Sequence, residues 1–360
     1  MTLPILKRLL APRTDTQRSG PDVQPHVPDV QTPTRVVNTS GPADAIAGKD
    51  LSSLFFVHIP KTAGTSFRQA AEDFWGAANV LRNYGPKSPA TSQKISELGR
   101  DPFELFRLIA ELDAPMYTGH VRVDTAVHLF PARRVVTFVR NPEEQVVSHY
   151  RHAKRWNGFD GDLRAFILNG GTQNLQSRYM AGLHPELFGL IGITEKYDQS
   201  LDMFNAHFGL GFAHRTDNTN DFAGEPLDAE LRALLRERNR QDMHLYQRCV
   251  ALHTERWRLF EQGLEWTHGV IGNLTKQSIQ GWAYGAVNDE PVGLDILVND
   301  ELIGHVDATE PRPNLKQYET PRCGYVGFTL AADLKEGDRV AAIVSRTGQR
   351  LREKVFREQK

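Results

Sequence analysis

The chain has 360 residues with 43 lysines and arginines against 44 aspartates and glutamates, a formal net charge of −1. That argues against a protein held to nucleic acid by a bulk basic surface and leaves room only for a local basic cleft. With 40% hydrophobic and 24% charged residues the composition is ordinary for a globular protein, and the length points to about two domains.

No stretch reaches the roughly 18 consecutive apolar residues of a membrane span. The opening MTLPILKRLLAPR is too short and too charged in its apolar part for a secretory signal, so the expected location is cytoplasmic. Cys249 and Cys323 lie far apart with no CxxC or Cys/His spacing and read as structural thiols, with neither a disulfide framework nor a zinc site indicated.

Residues 1–50 scatter Pro4, Pro12, Pro21, Pro25, Pro28, Pro33 and Pro42 among Ser, Thr, Asp and Gly, the composition of a disordered leader. From Leu51 the texture changes. LSSLFFVHI is a short apolar run bounded by Pro60 and Gly64, which predicts a buried strand. Similar runs are PMYTG, RVVTFV and LIGIT. Helical stretches are predicted over Thr65 to Phe74, Pro102 to Leu112, Glu143 to Trp156, Leu163 to Asn169, Asp198 to Phe208, and Asp228 to about Gly263. Apolar strands alternating with helices predict an α/β fold, a P-loop-like parallel sheet flanked by helices, with ligands bound beyond the carboxyl ends of the strands. After Trp266 come short alternating segments with turn residues, and Asn299-Asp300 has the form of a tight hairpin turn. The expected organisation is a leader over 1–50, an α/β domain over 51–266, and a small β-sandwich domain over 267–360.

FFVHIPKTAGTSF carries the most chemistry. A strand ending at Ile59, a turn shaped by Pro60 and Gly64, and a helix opening at Thr65 and Ser66, whose hydroxyls suit N-capping, aim backbone N–H groups and a helix dipole at one point. Lys61 adds a full charge, and Thr62, Thr65 and Ser66 add hydroxyl donors. The order differs from the nucleotide-triphosphatase loop GxxxxGK[ST], because the lysine here precedes the glycine. The later strand RVVTFV ends in Arg140 where that class has an acidic metal-binding residue. A cation there implies a second anionic group on the ligand, with no metal required. In VVTFVRNPEEQVVSHYRH, Arg140 leaves the strand, Asn141-Pro142 makes the turn, and Ser148 follows about two turns into the next helix.

PKTAGTS and RNPEEQVVSHY together resemble the sulfotransferases that use 3'-phosphoadenosine 5'-phosphosulfate (PAPS), especially the carbohydrate enzymes of the heparan sulfate 2-O type and their bacterial relatives. The resemblance runs from about Phe55 to about Tyr246, through MYTGHVRV, NLQSRYMAG, GLIGITEKYDQSLDMF and RERNRQDMHLY, and does not cover the β-sandwich. It implies that Lys61, Thr62, Ala63, Gly64, Thr65 and Ser66 cradle the 5'-phosphosulfate while Arg140 and Ser148 hold the 3'-phosphate. Where the family usually carries a second arginine, this chain has Gln145. His120, in the G-H-V segment, falls on the family's catalytic base, and Lys61 is placed to neutralise charge on the leaving phosphate.

His58 is the rival base, though a position on a buried strand points it into the core or packs it against the helix. His149 and His152 read as surface or substrate-cleft residues, and Arg122, Arg151, Lys154 and Arg155 are candidates for a cleft that takes an anionic acceptor, with a solvated helix face an equal reading for the last three. Glu195 reads first as structural, and Trp282, Tyr284 and Tyr325 read as core or as sugar-stacking aromatics. The resemblance implies a carbohydrate acceptor, whether polysaccharide, glycolipid or small glycan, with no nucleic-acid partner and no membrane span. An ATP-dependent phosphotransferase and a non-catalytic glycan-binding protein remain the competing readings.

Overall fold

The computed structural model describes residues 53–98, 101–111, 114–215 and 227–358, so the expected leader lies outside the described residues. In the first half, strands β1 (Leu54–Val57), β2 (Val80–Asn83), β3 (Met116–Gly119), β4 (Val135–Val139) and β5 (Leu190–Ile193) alternate with helices. The helices are α1 (Gly64–Trp75), α2 (Gln93–Glu97), α3 (Pro102–Glu111), α4 (Val123–Ala126), α5 (Pro142–Trp156), α6 (Leu163–Leu168), α7 (Leu175–Met180), α8 (Tyr197–Phe208), α9 (Ala229–Arg238) and α10 (Arg240–Glu261).

The five strands form one sheet in the order β2-β3-β1-β4-β5, parallel at every pairing. This is the expected helix-flanked parallel sheet. LFFV, VVTFV and LIGI are buried along their whole length, as strands covered on both faces must be. Alternate residues serve opposite cores: Phe55 and Val57 enter one cluster, Leu54 and Phe56 the other. The strand VLRN was not predicted, because an edge position leaves it half polar.

The stretch expected to be helical from Asp228 to Gly263 is two helices. They part at Asn239, whose backbone leaves helical geometry (φ −113, ψ 30) and whose amide oxygen accepts from the Asn174 N–H at 2.9 Å. Cys249, His253, Arg256 and Leu259 form the buried stripe of α10, so this helix packs on its own sheet. No helix among the described residues is long and apolar enough to cross a membrane.

The second half contains two four-stranded antiparallel sheets. Strands β6 (Thr267–Thr275), β7 (Ser278–Gly285), β10 (Glu310–Pro311) and β11 (Tyr325–Ala331) make one in the order β10-β11-β7-β6. Strands β8 (Gly293–Val298), β9 (Glu301–Asp307), β12 (Arg339–Val344) and β13 (Lys354–Val355) make the other in the order β13-β12-β8-β9. Ile279, Ala283 and Phe328 of the first share a core with Leu294, Ile296, Val340 and Ala342 of the second, as in a sandwich. Asn299 and Asp300 both have positive φ (50 and 70), the signature of the two-residue turn expected there.

The sandwich packs directly on the α/β half. Trp282, Tyr284 and Val326 join the cluster that covers one face of the parallel sheet. At this junction the fully buried Arg256 donates to the carbonyls of Phe188 (3.4 Å) and Gly189 (3.3 Å) and lies 5.3 Å from the centroid of the Trp266 ring. Burial pulls its pKa to about 10. Burial pushes the nearby Glu186 carboxyl up, but hydrogen bonds and charge from His184 and Arg248 hold it at about 2. Arg256→Ala should cost about 3 kcal/mol, because it leaves two buried carbonyls unpaired and opens a cavity. Urea denaturation would register a lower midpoint, and Arg256→Met, which keeps most of the volume, should lose less.

Candidate active site at the switch point of the parallel sheet

The chain leaves β1 toward β2 on one side of the sheet and leaves β4 toward β5 on the other, so the order reverses between the adjacent strands β1 and β4. Ligands of open α/β sheets bind beyond the strand ends at such a reversal. The Lys61 loop follows β1 and the Arg140 turn follows β4.

In the loop, Lys61 (φ 67) and Ala63 (φ 64) both take the left-handed conformation that non-glycine residues seldom adopt. Between them Thr62 is buried, and its hydroxyl donates to the Ile59 carbonyl at 3.0 Å. The helix therefore opens earlier than expected. Ala63 is the N-cap of α1 and supplies no side-chain cap, so Thr65 and Ser66 sit inside the first turn instead of capping it, Thr65 exposed and Ser66 buried. An uncapped first turn concentrates N–H donors and the positive end of the helix dipole. Gly64 allows close packing: a Cβ there would stand 2.1 Å from Cδ2 of His58. His58 itself is buried, with Nδ1 2.6 Å from the Tyr84 hydroxyl, and burial together with the charge of His120 holds its pKa well below 6.5. It packs against the helix, as its strand position implied.

On the other side Arg140 is fixed from behind. Its N–H donates to Gln176 Oε1 and its carbonyl accepts from Gln176 Nε2, both at 2.8 Å. Gln176 is buried, and Asp242 accepts from the N–H groups of Gln176 (3.0 Å) and Ser177 (2.7 Å). Asn141 caps α5 by accepting from the Glu143 N–H at 2.9 Å, with Pro142 as the first helical residue. Glu195 accepts from the Asn141 N–H (2.7 Å) and from the Tyr246 hydroxyl (3.1 Å), which is the structural role expected of it. The Arg140 guanidinium meets Glu144 at 3.0 Å, so an incoming anion must share or replace that carboxylate. Lys61 has its pKa lowered by partial burial and then by the charge of Arg140, a repulsion that an anion between them would relieve.

Lys61, Arg140 and Ser148 line one cleft of about 900 Å³, with Arg151, His152, Lys154, Arg155 and Trp156 further along α5. Arg122 lies elsewhere, paired with Asp124. His120 is outside the residues lining that cleft. It stands one strand over, at the end of β3, beside the rings of His58 and Tyr84 at 4.8 Å each. His120 is exposed as a residue, and its Nδ1 lies 2.8 Å from the His58 carbonyl. A carbonyl can only accept, so Nδ1 carries the proton and Nε2 is left with the lone pair of a base. Loss of hydration lowers the His120 pKa, the bond to His58 opposes this, and His152 adds to the lowering. His149 falls to about 4, through burial and then the charges of His152, Lys61 and His120.

Of the sandwich aromatics, Trp282 and Tyr284 are buried in the shared core and only Tyr325 is exposed. Cys249 is buried, which pushes its thiol to about 12, and Cys323 is exposed. The bracing by Gln176 and Asp242 was not legible. Both residues fall in NLQSRYMAG and RERNRQDMHLY, but no local pattern says that an amide from one segment closes on the backbone of another.

No protein-family model and no curated protein matches the sequence. Among solved structures, the chain is similar to mouse sulfotransferase SULT7A1 complexed with PAP at 15% identity and a TM-score of 0.31, over 54% of this chain and 66% of that one. It is also similar to a sulfotransferase from Alicyclobacillus acidocaldarius at 16% identity and a TM-score of 0.32, over 57% of this chain and 98% of that one. Both are distant likenesses of chain path.

Gly64→Ala should destabilise the chain by about 2 kcal/mol, because the added methyl overlaps the His58 ring. The paired change His58→Ala with Gly64→Ala should cost less than the sum of the two single changes. Chemical denaturation of the four chains measures this, and strict additivity would show that the contact does not constrain the loop.

Proposed function

We propose that this chain is a PAPS-dependent sulfotransferase that transfers the sulfuryl group to a hydroxyl of a carbohydrate acceptor. The observation that carries the reading is that three groups follow adjacent strand ends, His120 after β3, Lys61 after β1 and Arg140 after β4, with Lys61 and Arg140 lining one cleft. Two cationic turns over one cleft suit a ligand with anionic groups at both ends. The Lys61–Ser66 loop would take the 5'-phosphosulfate, and Arg140 with Ser148 the 3'-phosphate.

In the transfer, the sulfur–oxygen bond to the phosphate breaks as a bond forms from sulfur to the acceptor hydroxyl oxygen. Nε2 of His120 takes the hydroxyl proton, and the phosphate leaves as part of adenosine 3',5'-bisphosphate (PAP) with Lys61 opposing its charge. Arg140, standing where metal-dependent phosphotransferases place a carboxylate, supports a reaction without a metal ion. Trp156, 67% exposed with Arg155 4.9 Å from its ring centroid, offers a stacking surface for a sugar ring.

Calorimetric titration with PAP, ATP, ADP and AMP, with and without Mg²⁺, tests the donor site. Metal-independent binding of PAP in preference to the others is expected, and preference for ATP with Mg²⁺ would overturn the reading. Arg140→Ala should weaken PAP binding by about 10- to 100-fold, while Lys61→Ala should lower turnover by about 100-fold or more.

His120→Ala should bind PAP normally and transfer about 100-fold more slowly or worse. Because the His120 pKa lies below 6.5, its base form is the main one at neutral pH. Turnover should therefore hold at pH 7 and fall as the pH drops through the lowered pKa. A falling limb centred well above 6.5 would assign the base elsewhere.

A further inference from the structure

We propose that Gln145 is a positioning residue that sets the conformation of the Lys61 loop and joins it to the Arg140 turn, so that the two turns grip one nucleotide as a unit. This rests on the nucleotide reading above. Gln145 is buried, lies one turn into α5, and donates from Nε2 to the carbonyl of Pro60 at 2.9 Å. Proline has no N–H and its carbonyl can only accept, so the amide nitrogen must face it.

That carbonyl belongs to the peptide joining Pro60 to Lys61. A trans peptide is planar with C=O and N–H antiparallel, so holding the oxygen against buried Gln145 turns the Lys61 N–H the opposite way, away from α5's interior side. Rotation of the same plane sets the left-handed φ of Lys61, which is 67. Two other ties of the loop are local: Thr62 bonds Ile59, and Gly64 packs on His58. Gln145 instead reaches it from the helix that follows Arg140 and carries Ser148, both of which line the cleft with Lys61. Asn141 caps that helix and accepts at its carbonyl from the Gln145 N–H (2.9 Å), while Gln176 clamps the Arg140 backbone, so the donor is held on a fixed support.

Gln145→Met and Gln145→Leu keep most of the side-chain volume and remove the donor. Each should weaken PAP binding about tenfold, the scale of one lost buried hydrogen bond. A purely structural role would instead act alike in every background. The discriminating measurement is the double change Gln145→Met with Arg140→Ala, where loss of Gln145 should cost clearly less affinity than it does in the wild type.

Additive effects, or wild-type affinity in both single variants, would overturn this role and leave the nucleotide reading standing. Failure of the wild-type chain to bind PAP would overturn both. The ligand-free wild type gives a readout that needs no variant. Backbone order parameters over residues 61–66 should match the rigid value of about 0.85 expected in α1, and values under about 0.6 would overturn the bracing.

Discussion

The candidate site depends on the position of β1 between two parallel partners. Val57 pairs in register with Gly119 of β3 on one side and with Thr137 of β4 on the other, so the three chains leave the sheet at one edge within a few residues of each other. A parallel ladder fixes that alignment at every rung, and a slip of one residue would turn each strand's apolar set to the wrong face. This registration sets Lys61, His120 and Arg140 at the same edge of the sheet. Nothing in the local sequence of any one of them encodes it.

The loop after β1 carries a cost. Two non-glycine residues in left-handed geometry represent about 1–3 kcal/mol each, and such strain persists only where the surroundings over-determine it. Thr62, Gly64 with His58, and Gln145 each hold a different part of the loop: its interior, its junction with the helix, and the peptide at its start. The Arg140 turn is held in a different manner, by the Gln176 amide closing on its backbone and by the Glu195 carboxylate, which accepts from the Asn141 N–H. Both turns are thus braced by contacts within the protein itself, and such pre-organisation lowers the ordering entropy that opposes binding.

The β-sandwich contributes to the stability of this arrangement. Trp282, Tyr284 and Val326 complete the core beneath one face of the parallel sheet, and the buried Arg256 satisfies the carbonyls of Phe188 and Gly189 just before β5. Aromatics that a surface reading offers to sugars are therefore spent on the junction between the halves. In an open sheet β5 would be a free edge. Here α10 packs against it.

Much was legible from the sequence because it is written locally. The mainly apolar runs LFFV, VVTFV and LIGI fix buried parallel strands, Asn141-Pro142 marks a helix start, and Lys61 and Arg140 stand within a few residues of strand ends, where an α/β sheet binds its ligands. The edge strand VLRN, the break at Asn239 and the early opening of α1 at Gly64 were not legible, since each answers to a neighbour distant in the chain or to a backbone angle that composition does not reveal.

The sequence by itself determined which residue types follow which strands. Only the tertiary structure decided that Gln145 meets Pro60, that Gln176 clamps Arg140 and that His120 is bonded through Nδ1, leaving the lone pair on Nε2. These contacts join segments 36 to 85 positions apart, and their partners are chosen by packing and hydrogen-bond satisfaction in three dimensions.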